Sequence, residues 1–129
     1  MTRPPDLVAA LVADTGPLAG LGAPIATKVP TPRPPQFIRV LATGGALTDD
    51  YALSAPSVLI ECWATSSDAA YALAGAAWER LRATVGAEIG PGLWVQDPRI
   101  TLPADFPDAQ SGSPRWQFIF TPTVAQEET

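Results

Sequence analysis

Histidine is missing from this chain of 129 residues, and lysine and cysteine each occur once, at Lys28 and Cys62. Without histidine the chain lacks the most common general base and the most common metal ligand. A single cysteine excludes a disulfide framework or a thiolate metal site within one chain. Charged residues make up only 16% and sum to −5, which argues against the basic footprint that wraps nucleic acid. No apolar run approaches the roughly 20 residues that span a bilayer, and the N-terminus lacks the apolar stretch of a secretory signal. The expectation is a protein made in a cytoplasm, with no membrane contact. So little charge also points to a surface covered in part by neighbouring subunits.

Apolar residues, at 47%, suffice for one core in a chain of this length. A single domain over 1–129 is expected, with 125–129 as a frayed tail. Its organising feature is a pair of apolar runs, Gln36–Ala42 and Ser57–Ala64, that alternate with a period of two, as half-buried strands do. Paired antiparallel, they set Phe37 against Trp63, Arg39 against Glu61 and Leu41 against Leu59 on one side. The other side carries Ile38 against Cys62, Val40 against Ile60 and Ala42 against Val58. That second side is wholly apolar and is the expected core face. A slip of one residue would bury Arg39 in it, so the register is strongly specified. The connection Thr43–Pro56 is too long for a tight turn. It reads either as an arm that orders on a neighbour, through Asp49, Asp50, Tyr51 and Leu53, or as a floppy surface loop.

Around this hairpin the chain reads as follows. Pro4-Pro5-Asp6 opens a short helix with Leu7, Val8, Leu11 and Val12 as its apolar stripe, ended by Gly16-Pro17. Ile25–Val29 reads as a short strand. Pro30-Thr-Pro-Arg-Pro-Pro35 favours an extended polyproline segment, either a stiff connector or a docking rail that displays Arg33 to a partner carboxylate. Ser66-Ser67 caps a helix from Asp68 to Val85, with Ala70, Tyr71, Ala74, Ala77, Trp78, Leu81 and Val85 as its stripe. A strand from Leu93 to Leu102 carries Pro98, which implies an edge or a bulge. Pro103–Pro114 is a second long loop. Arg115–Val124 is the last strand, with Trp116, Phe118 and Phe120 facing the core. Phe37, Ile60, Trp78, Trp116 and Phe118 are the expected core anchors. The fold class expected is α+β. One mainly antiparallel sheet of about four to five strands carries two helices on one face, in the order α-β-β-β-α-β-β.

No convincing catalytic set is found. Lys28 stands in no Ser-x-x-Lys spacing, and no Gly-rich phosphate loop leads into Lys-Ser/Thr. Asp97, Asp105 and Asp108 match no established calcium loop, and prolines intervene. No cofactor is expected, and the pattern suggests a protein that works by shape.

Several segments together resemble the tail terminator proteins of long-tailed phages of actinobacteria. They are the Pro-Asp-Leu-Val start of the first helix, Pro-Arg-Pro-Pro-Gln-Phe-Ile-Arg-Val (32–40), Glu-Cys-Trp-Ala (61–64) and the Ala-rich helix after it. Asp-Phe-Pro-Asp-Ala-Gln-Ser-Gly-Ser-Pro-Arg-Trp-Gln-Phe (105–118) adds to the likeness. Gly90-Pro91-Gly92 and the near absence of lysine depart from it. The resemblance implies a small α+β structural protein of the virion. It would form a ring, expected to be a hexamer, that caps the head-proximal end of the tail tube and contacts the head-tail connector or head-completion protein. Genomic DNA would pass through without specific binding, and no catalysis is implied. In such a ring one patch meets a different patch on the next copy. Arg33, Pro34, Pro35, Asp105, Asp108 and Arg115 are the interface candidates. Arg33 and Arg115 would meet Asp105 or Asp108 across subunits, the alternative being pairing within the chain or plain solvation. The arm residues would reach the neighbouring ring. Competing readings are another neck or tube ring protein, a small carboxylate-dependent hydrolase, and a monomeric adaptor that uses the Pro-rich segment.

Overall fold

The computed structural model describes residues 5–47 and 53–126. The elements run α1 (Leu7–Val12), β1 (Ile25–Ala26), β2 (Phe37–Leu47), β3 (Leu53–Trp63), α2 (Ser67–Arg82), β4 (Glu88–Gly90), β5 (Leu93–Ile100), β6 (Ala104–Asp105) and β7 (Arg115–Gln126). The sheet order is β1-β2-β3-β7-β5-β4, with β6 pairing β7 beside the end of β5. This corrects the expected α-β-β-β-α-β-β order of four to five strands. Seven strands form a curled mixed sheet, a half-barrel, accompanied by two short helices. The extra strands β4 and β6 have three and two residues, too few to carry a period. β1 joins β2 in parallel over two residues only, Ile25 against Ile38 and Ala26 against Arg39, so the expected strand to Val29 is shorter.

The β2–β3 hairpin keeps all six pairs expected from alternation, from Phe37–Trp63 to Ala42–Val58. Beyond Ala42 the structure departs from the expected loop. Thr43 is bulged out, pairing resumes at Gly44–Ser57, and the hairpin runs on to Leu47–Ser54. Thr43–Pro56 is therefore mostly strand. The glycines that suggest a loop serve the bulge: Gly44 and Gly45 have φ of 99° and 122°. A side chain at Gly45 would also strike the backbone of Ala55. A second bulge, at Gln96 in β5, sits between Val95–Val124 and Asp97–Thr123. Bulges bend a strand and increase its twist, which suits a curled sheet.

The core lies on the sheet face that carries Ile38, Val40, Val58, Ile60, Cys62, Val95, Phe118, Phe120 and Val124. Leu7, Ala10 and Leu11 of α1 and Leu73, Ala74, Ala77 and Leu81 of α2 close over it. Asp6 caps α1, its carboxylate accepting from Ala9 N–H at 2.9 Å, and Ser66 caps α2 through Ala69 N–H at 3.1 Å. α2 stops at Arg82 rather than Val85, where Thr84 Oγ1 donates to the Leu81 carbonyl at 2.6 Å and closes the last turn. Val85 is accordingly exposed; Tyr71, beside the buried stripe of Ala70, Leu73, Ala74, Ala77 and Leu81, is exposed as well and packs obliquely on the Trp116 ring 4.7 Å away. Trp78 and Trp116 border the core with their indole N–H groups satisfied, by the Thr101 carbonyl at 2.9 Å and Ser67 Oγ at 3.2 Å. Phe37 is buried but lies on the opposite face, outside this core.

Candidate functional site

The sheet face turned away from the helices is ordered in rows across β2, β3 and β7. One row is Phe37–Trp63–Arg115, the next Arg39–Glu61–Gln117, the next Leu41–Leu59–Ile119. The first two rows build a side-chain cluster. Phe37 and Trp63 stack with ring centroids 5.2 Å apart and planes 17° from parallel. The guanidiniums of Arg33 and Arg115 lie 5.1 and 5.0 Å from the Trp63 ring centre. At such distances the ring quadrupole attracts a cation.

Glu61 sits at the middle of the cluster and is only 5% exposed. Its Oε1 accepts from Arg39 Nη1 at 3.4 Å and from the Trp63 indole N–H at 3.3 Å, and its Oε2 pairs with Arg115 Nη1 at 3.4 Å. A carboxylate on a central strand is tolerated because cations from both flanking strands reach it. Arg115 also ties in the segment before β7. Its Nε donates to the Phe106 carbonyl at 2.8 Å, its Nη1 lies 3.8 Å from Asp108 Oδ1, and its guanidinium is 5.5 Å from the Phe106 ring centre. Phe106 N–H donates back to the Arg115 carbonyl at 2.9 Å. The Pro-rich segment joins through Arg33 Nη1, which donates to Ser113 Oγ at 2.6 Å.

Asp108 anchors the turn within this strap. Its Oδ2 accepts from Ser111 Oγ at 2.6 Å and Ser111 N–H at 2.9 Å. Those two hydrogen bonds, with Arg115 and Arg33 nearby, hold its carboxyl below the ordinary carboxylate value. On the helix side of the same strand, burial pushes the Cys62 thiol up to about 12, with the Glu61 charge adding to it. That thiol is inert at neutral pH.

Of the interface candidates, Arg33, Asp108 and Arg115 are brought into this one cluster, and Arg115 meets Asp108 within the chain. Pro34 and Pro35 adjoin it in the sequence, and Asp105 lies exposed in β6, paired with Trp116. Leu53 belongs to β3, opposite Ala125, while Asp49, Asp50 and Tyr51 lie outside the described residues. Sequence reading noticed the Arg39–Glu61 pair but missed Trp63, Phe106 and Ser113. Trp63 stands two residues from Glu61 on the same face, a signal that could have found it.

Asp97 and Asp105 do not share a site, because they pair with Thr123 and Trp116, ~23 Å apart along β7 at strand rise. Among the described residues no group of three or more acidic, cysteine or histidine side chains is placed to hold a metal ion. No described helix is long and apolar enough to cross a membrane. Compared with known proteins, the chain matches no family model and no curated protein sequence. The cluster's own chemistry is adhesive: it fastens the Pro-rich segment and the 103–114 strap to one end of the sheet.

Proposed function

We propose that this chain is a ring-forming structural protein of the tail terminator kind, which caps the head-proximal end of a phage tail tube and joins it to the connector. One observation supports this reading above others. Three of the five segments that carry the resemblance, 32–40, 61–64 and 105–118, are far apart in sequence and meet in the single Arg33–Glu61–Trp63–Asp108–Arg115 cluster. Such a set acts as a unit. It shapes the protein's surface by pinning two proline-bearing segments, and it leaves Phe106 and Leu102 exposed beside them. Exposed apolar groups on a charge-poor surface suit a protein that is finished by its neighbours. The arm reading keeps Asp49, Asp50 and Tyr51, which lie outside the described residues, as contacts to the next ring.

Negative-stain imaging of the purified protein mixed with tail tubes tests the proposal. The expected result is a ring seated at one end of each tube. Tubes that stay bare at both ends, with no ring by native mass spectrometry, would overturn it.

A further inference from the structure

The third row of the helix-free face, Leu41–Leu59–Ile119, is aliphatic, and Ile119 at its end is 40% exposed. Cations stand at opposite corners of this patch. Arg39 lies in the row below it, and Arg99 of β5 pairs with Thr121 in the row above, its side chain 73% exposed. Three strand spacings and four residues of rise separate the two, ~19 Å along the diagonal. Arg39 shares its carboxylate with Arg115, and among the described residues Arg99 is matched by the exposed Asp97 on its own strand.

The outward side of α2 is the complement. Asp68, Ala72, Gly75, Ala76 and Glu79 recur at helical spacing on the side opposite Ala70, Ala74, Ala77 and Leu81. The stripe therefore has small apolar residues between two acids ~16 Å apart along the axis. Packing among the described residues does not require Gly75: a methyl group there would meet nothing beyond its own helix within 4 Å. A glycine in a helix interior is unfavourable unless something approaches closely.

From these matched spacings we infer that a second copy of this chain docks the outward stripe of its α2 on the Leu41–Leu59–Ile119 face, with Asp68 and Glu79 set against Arg39 and Arg99. Two different surfaces meet, so the contact is heterologous and propagates from copy to copy. The opposed charges set its direction and register. The inference rests on the ring reading above and names the two surfaces that make the ring.

Ile119→Cys and Ala76→Cys, carried on separate chains and mixed under mild oxidation, test it. Both positions are on the surface, and Cys62 is buried and protonated in each. Intact mass spectrometry should show the mixed disulfide at least ~10-fold above either homodimer. Arg99→Glu on the Ile119→Cys chain should remove that excess, and Glu79→Arg on the Ala76→Cys chain should restore it. A statistical mixture, a dominant Ile119→Cys homodimer, or failure of the reversed charges to restore the excess would each overturn this contact. Rings on tubes without the mixed disulfide would keep the ring reading and remove this interface. A specific mixed disulfide with bare tubes would do the reverse.

Discussion

At the scale of single residues, Glu61 decides the stability of the helix-free face. Its charge is held by Arg39 on one flanking strand, Arg115 on the other and the Trp63 indole between them. Removing one member of a buried ionic set leaves uncompensated charge, which costs about 3–5 kcal/mol. Glu61→Ala should lower the unfolding free energy in urea by about that much and change Trp63 fluorescence. A loss under ~1 kcal/mol would mean that both arginines are satisfied by water instead. Cys62, one residue on and on the opposite face, gives a pH test. Its folded pKa of about 12 exceeds the ordinary 9.0, so the folded chain holds this proton more tightly than the unfolded chain. Stability is then full below pH 9 and falls as pH rises above it. Urea midpoints of the wild type should drop between pH 8 and pH 10.5, and Cys62→Ala should flatten that drop. For Asp108 the sign is opposite: its lowered carboxyl contributes above the ordinary value of 3.8 and loses its effect as pH falls below it. Loosening of the 103–114 strap should therefore follow acidification beneath that value.

At the scale of elements, the bulged hairpin and a line of prolines shape the sheet. The β3–β7 register keeps one offset from Ser54–Val124 to Val58–Phe120, which sets Pro56 opposite Pro122, and Pro122 pairs in turn with Pro98. Prolines lack the N–H that a ladder needs, so this line is a weak seam across three adjacent strands. The bulges at Thr43 and Gln96 lie close to it, and bulges add bend and twist to the strands that carry them. Gly45→Ala should destabilise the fold by ~1–3 kcal/mol, because its φ is left-handed and the added methyl would strike Ala55. An unchanged thermal midpoint would show that the bulge relaxes around a methyl group. These devices also explain what was legible beforehand. Phe37–Ala42 against Val58–Trp63 was readable because a slip of one residue would put Arg39 on the apolar face and this register sets it against Glu61. The continuation past Thr43 was not, because a bulge breaks the alternation and Gly44, Gly45 and Pro56 look like loop residues. β4 and β6 carry no period, and the fold class was misjudged on that account. The Arg33–Arg115–Asp108 grouping was visible only as residue types. The β7 register and the strap at Phe106 are what bring them together on Trp63.

At the scale of the whole molecule, the two sides of the sheet are finished differently. The helix side is closed by α1 and α2 around Phe118, Phe120 and Leu81, and it needs nothing further. The far side is closed only at one end, where the arginines cover Phe37 and Trp63, and its aliphatic row is left half-buried. Gly75 separates the needs of the chain from those of an assembly. For the isolated chain this glycine is a loss, since an unbranched residue at a helix interior position is better by roughly 0.5 kcal/mol. Gly75→Gln should therefore raise the thermal midpoint of the monomer slightly. On a docked stripe the same glutamine would hold the two layers apart. The variant should lose the Ile119→Cys/Ala76→Cys mixed disulfide and fail to cap tubes while folding better than the wild type. A variant that is both more stable and fully competent in assembly would show that this helix face stays in solvent and would remove the proposed contact.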